Sequence, residues 1–91
     1  MGTYDDVAHV GQVILRRRAA LRESVDEAGE KMGVSGATVS RWEQGRHEPT
    51  KVANLEAIWA YCGVRSDEDR ALLLLRTRLF YGLRELENNN G

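Results

Sequence analysis

The chain has 91 residues, enough for one domain with a modest core and too few for two. A single cysteine excludes an internal disulfide, two histidines with one cysteine leave no zinc set, and no apolar run reaches the ~20 residues of a membrane span. Thirteen basic against fourteen acidic side chains give a net charge of −1, which excludes strong non-specific binding to nucleic acid but leaves room for a locally basic surface.

The abundance of Leu, Ala, Arg and Glu, one proline and little strand-like alternation predict an all-α protein. Met1–Thr3 reads as a short arm, without the basic-then-apolar pattern of a secretion signal, so a cytoplasmic protein is expected. Asp5 and Asp6 suit a helix N-terminus, and Val7, Val10, Ile14 and Leu21 then recur at helical spacing, predicting a first helix over residues 5–22. Ser24 with Glu27 three residues on is a capping box for a second helix, with Ala28 and Met32 inward and Gly33 as its stop. Ser35 caps a third helix that turns Val39 and Trp42 inward and stops at Gly45. After a turn and cap at Glu48-Pro49-Thr50, a fourth helix over 51–62 should bury Val52, Leu55, Ile58 or Trp59, and Cys62, ending at Gly63. Ser66 with Asp69 opens a fifth helix reaching about residue 87, unless Gly82 ends or bends it; 88–91 are expected to fray.

Residues 34–49, VSGATVSRWEQGRHEP, carry the most information. With the helix before them they describe two short helices joined by a tight turn. The second is capped by Ser35, presents small and hydroxyl side chains outward and ends in an arginine, the build of a helix that enters a DNA major groove. Arg41, Arg46 and Lys51 outnumber Glu43 and Glu48 over residues 35–51, so this region is locally basic.

Through Gly33-Val34-Ser35, the run Thr38-Val39-Ser40-Arg41-Trp42-Glu43-Gln44-Gly45-Arg46 and Pro49, the chain resembles the Xre-type helix-turn-helix family of lambdoid phage repressors and many small bacterial regulators. The resemblance covers residues 10–64, about two thirds of the chain. It implies a compact five-helix, repressor-like fold whose DNA-binding domain covers 1–65, with the motif at about 24–45 and the recognition helix at 36–44, in a bacterial or phage-encoded protein. It places Gly36, Ala37, Thr38 and Arg41 at base contacts, and Ser35, Ser40, Arg46 and Lys51 at phosphates. It also implies a structural ion pair between Arg18 and Glu43. Three departures stand out: Val25 replaces a frequent phosphate-binding glutamine, Ala28-Gly29 replaces Leu-Ala, and Glu23 stands where a leucine is usual. The residue chemistry agrees with the placement. Arg41 can fork onto a guanine, Thr38 can bond a base edge or a phosphate, Ala37 can touch a thymine methyl, and Gly36 permits close approach.

The remaining features have plainer readings. Trp42, three residues from Val39, is a core wedge rather than a stacking platform. Arg16, Arg17 and Arg18 point 100° apart on a helix, so at most one meets a phosphate. His9 and His47 lack metal-ligand companions, and Cys62 reads as a small core residue. Leu72, Leu75, Leu79, Gly82 and Leu86 alternate three- and four-residue steps, the spacing of a helix–helix seam, while Leu73, Phe80 and Leu83 should face the body of the domain. Residues 66–91 are thus expected to dimerise the protein. Walker-type loops, His–carboxylate metal motifs and nucleophile elbows are missing, so neither catalysis nor a metal or other cofactor is expected. The expected function is a sequence-specific regulator of transcription, a repressor acting as a homodimer on a palindromic double-stranded operator. The alternative is an antitoxin or other protein-interaction module using the C-terminal helix.

Overall fold

The computed structural model describes residues 4–90, with side chains described for 4–88. The expected arm at Met1–Thr3 and the tail residue Gly91 lie outside the described residues. Five helices follow in order: α1 (Val10–Leu21), α2 (Val25–Met32), α3 (Gly36–Glu43), α4 (Val52–Cys62) and α5 (Asp67–Asn90). No strand occurs among the described residues, so the all-α, five-helix expectation holds. None of the helices is long and apolar enough to cross a membrane among these residues.

The helix boundaries follow from their caps. Ser24 Oγ accepts from the Glu27 amide at 3.1 Å while Glu27 Oε1 accepts from the Ser24 amide at 3.0 Å, so both halves of the capping box form. Ser35 Oγ accepts from the Thr38 amide at 3.1 Å and opens α3; Ser66 Oγ accepts from the Asp69 amide at 3.1 Å and opens α5. Gly33 and Gly63, both left-handed, end α2 and α4. Lys51, not Thr50, is the N-cap of α4, and it makes no side-chain capping bond.

The first helix starts five residues later than its acidic residues predict. Residues 4–6 form a turn, and the cap is His9, whose Nδ1 accepts from the Gly11 amide at 3.2 Å. Three carbonyls of this N-terminal segment, those of Tyr4, Asp5 and Val7, are gathered by Arg76 of α5 at 2.6, 2.8 and 3.0 Å. The first orphan amide of α1, at Val10, is taken by Thr77 Oγ1 at 2.9 Å, and the same hydroxyl donates to the Leu73 carbonyl at 2.6 Å. Long-range partners therefore define this end, and they outweigh the attraction of Asp5 and Asp6 to a helix dipole.

Val10, Ile14, Ala28, Val39, Trp42, Ile58, Trp59, Val64 and Leu73 meet in one core drawn from all five helices and the α4–α5 turn. Val52 lies outside it, 69% exposed, because the helix begins there and Leu55, Ile58 and Trp59 take the inward positions. α5 runs through Gly82 without ending and continues to Asn90, three residues past its expected end. Leu83 is the other correction. It is 59% exposed, on the outer side with Leu75, Leu79 and Leu86, because the inward face of α5 in that turn is taken by Phe80, Tyr81 and Arg84.

Candidate nucleic-acid interface

The geometry of α2 and α3 depends on two glycines that bring their backbones together. At Gly29 a Cβ would stand 2.6 Å from the Val34 carbonyl oxygen of the turn, and at Gly36 a Cβ would run into the Asp26 carboxylate. Both residues are buried. Gly29, which departs from the family's usual alanine, thus permits a closer crossing. Gly36 belongs to that packing contact, and the structure places it away from the exposed face of α3, unlike the other three residues expected at base edges. A third glycine supports α3 from behind: a methyl at Gly11 of α1 would collide with the Trp42 carbonyl.

What α3 leaves outward is Ala37 and Arg41, both exposed, with half-buried Thr38 beside them; Val39 and Trp42 are buried on the opposite side. The Ser35 and Thr38 hydroxyls are 2.9 Å apart and bonded to one another, so each arrives at a ligand already oriented. Ser40 is half-buried and accepts from Gln44 Nε2 at 3.2 Å. Beyond α3 the chain folds back, with the Arg46 and His47 amides both donating to the Arg41 carbonyl at 2.9 and 3.4 Å. A groove of about 320 Å³ opens between α3 and the segment leading into α4. Thr38 and Arg41 stand on one side; His47, Thr50, Lys51 and Asn54 stand on the other. Thr50 and Asn54 carry no motif in the sequence that marks them for this groove.

The charges sort by position. All three arginines of the 16–18 run are used inside the molecule. Arg16 pairs with Asp6 at 2.6 Å, Arg17 Nε donates to the Tyr61 carbonyl at 3.0 Å, and Arg18 holds both carboxylate oxygens of Glu43 at 2.8 and 2.9 Å. The Glu43 bond raises the Arg18 guanidinium above its already high ordinary pKa. Among the described residues, Arg41, Arg46 and Lys51 are exposed and have neither an ion pair nor a side-chain hydrogen bond; Arg22 and Arg65, the other cations with neither, lie outside this segment, while Arg17, Arg70, Arg76 and Arg84 are taken up by backbone carbonyls. The two acids here are neutralised: Glu43 by Arg18, and Glu48 by Arg78 at 3.3 Å. A chain of net charge −1 thereby presents a cationic strip.

Elsewhere the structure shows satisfied packing. Among the described residues no group of histidine, cysteine and carboxylate side chains could hold a metal ion. His9 is buried, caps α1 and stacks on Phe80 with ring centroids 4.3 Å apart. Burial pushes the half-buried Cys62 thiol up to about 12. Glu23, the departure at a usual leucine, accepts from the Tyr61 hydroxyl at 2.6 Å and pairs with Lys31, joining α2 to α4 where an apolar contact is usual.

The family whose description is "Helix-turn-helix domain" matches residues 9–73. No curated protein and no solved structure matched the chain. The matched segment spans well over half the chain and runs from the cap of α1 to the first buried leucine of α5, and the protein belongs to that helix-turn-helix family.

Proposed function

We propose that this helix-turn-helix protein is a sequence-specific regulator of transcription of the Xre type, a repressor that binds double-stranded DNA by laying α3 in the major groove. The observation that carries this reading is the groove between α3 and the α4 approach, where Arg41 faces Lys51 and His47 and the two acids of residues 35–51, Glu43 and Glu48, are paired away. In this reading Arg41 forks onto a guanine, Ala37 meets a thymine methyl, and Thr38 bonds a base edge or phosphate. Ser35, Ser40, Arg46 and Lys51 serve the phosphates and set the register. With one long polar reader per subunit, direct readout is sparse, and DNA shape supplies part of the discrimination. Residues 1–65 form the DNA-binding unit, and 66–91 form a dimerisation helix.

The dimer reading is supported by the outer face of α5, where Leu75, Leu79, Leu83 and Leu86 are between 56% and 60% exposed and continue a stripe from half-buried Leu72. A two-fold dimer through that stripe puts two recognition helices on a palindrome, about one DNA turn or ~34 Å apart. The same stripe supports a second reading, in which the chain is an antitoxin or other interaction module whose main partner is another protein.

Selection of bound fragments from random duplex DNA tests the first reading. The expected result is one palindromic site, bound with a salt dependence of a few phosphates per subunit. Arg41→Ala should weaken that site by ~1–3 kcal/mol and relax one base position. No enriched sequence, together with tight capture of one protein, would establish the second reading instead.

A further inference from the structure

We infer that Tyr81 and Arg84 are positioning residues for the DNA-facing loop 45–48, so that α5 sets the strength of DNA binding without touching DNA. This inference rests on the DNA-binding reading above. The residues that carry it lie beyond residue 73, in the part of α5 that the helix-turn-helix family match does not reach.

The loop follows the proposed reader directly and carries Arg46 and His47, both exposed. Its own amides are satisfied from inside, since those of Arg46 and His47 return to the Arg41 carbonyl. Two of its carbonyls are satisfied by α5. The Tyr81 hydroxyl donates to the His47 carbonyl at 2.8 Å, and Arg84 Nη1 donates to the Gly45 carbonyl. These two bonds bracket Arg46 on either side. Gly45 has φ +71°, the left-handed region, so the loop pivots on a residue with little intrinsic stiffness. Its position is fixed from outside by Phe80, whose ring would lie 2.8 Å from a Cβ at Gly45. Arg84 is in turn held over that ring, 5.6 Å from the centroid. Phe80, Tyr81 and Arg84 thus form one clamp, with both donors aimed at main-chain oxygens rather than at solvent.

A clamp of this kind differs from a core contact. Arg84 is exposed and Tyr81 half-buried, and neither belongs to the core that Ile14, Val39, Ile58 and Leu73 fill. Removing a donor frees a carbonyl that water can reach, so the loop loosens while the domain stays folded. What is lost is the fixed direction of Arg46 and His47, and with it the pre-organisation that makes a phosphate contact cheap.

The test uses the full chain, with amide hydrogen exchange on free protein and salt titration of binding to the selected duplex. Tyr81→Phe keeps the ring and removes only the hydroxyl; Arg84→Gln removes the guanidinium. Both should speed exchange at the Arg46 and His47 amides roughly tenfold and leave α1 and the core amides unchanged. Both should weaken the duplex about three- to tenfold and lower the salt slope by about one, the share of a single loosened phosphate contact. Unchanged exchange in the loop overturns the clamp, as does faster exchange with wild-type affinity. A loss confined to Arg84→Gln, with Tyr81→Phe at wild-type affinity, overturns it too and makes Arg84 a phosphate contact. If the clamp alone is mistaken, the wild-type chain still binds and Arg41→Ala still weakens it. A wild-type chain that binds no duplex overturns the DNA reading and this role together.

Discussion

Glu43 lies on the helix proposed to enter DNA, yet its side chain is only 8% exposed and both oxygens are taken by Arg18, itself 21% exposed. Breaking one side of such a pair leaves a charge stranded in a dry site. Glu43→Gln should therefore cost about 3 kcal/mol, the low end for buried pairs because Arg18 retains some water. For a chain of this size that lowers the melting temperature by roughly 10 °C or more. An unaltered melt with tighter DNA binding would show Glu43 to be only a repulsive charge. His9 offers a second single-residue test. Burial, with the Arg84 charge adding to it, holds its pKa below the ordinary value of 6.5, so the unfolded chain takes up the proton more readily. His9 therefore contributes stability fully above pH 6.5 and loses it as the pH falls below that value. Thermal melts from pH 7 to pH 5 should decline in the wild type, and His9→Asn, which keeps a capping acceptor without titrating, should flatten that decline. A wild-type melt that is level over this interval would remove the role.

At the scale of elements, α2 and α3 were legible because their ends are encoded locally, by Ser24 with Glu27, by Gly33 and by Ser35. The start of α1 was not. It is set by Thr77 and Arg76, about seventy residues away, through bonds to backbone atoms that leave no periodic trace in the sequence. The candidate groove divides in the same way: Thr38, Arg41 and Lys51 followed from motif and composition, whereas Thr50 and Asn54 join them only once α4 folds alongside. Leu83 was misread because two apolar stripes overlap on α5, and periodicity alone does not say which one the core claims. The outer stripe makes its own prediction. If Leu75, Leu79, Leu83 and Leu86 form a dimer seam, sedimentation at micromolar concentration without DNA should give a two-chain species that Leu79→Glu converts to monomer with little loss of helix content. A single-chain species in the wild type would confine any dimer to the DNA.

For the whole molecule, the near-zero net charge and the cationic strip together mean that affinity should come from a few well-placed contacts rather than a long-range field. The same assembly has a kinetic side. Arg76 and Thr77 tie α5 to residues 4–10 across separations of 67 to 72 residues, the longest closures among the described hydrogen bonds. On a ribosome, the first helix therefore emerges long before its cap partner, Val10 waits with an open amide, and the nascent chain holds an unfinished end until the fifth helix has cleared the exit tunnel. Folding of this domain should accordingly wait for α5, with α2 and α3 docked first and residues 4–10 joined to α5 last.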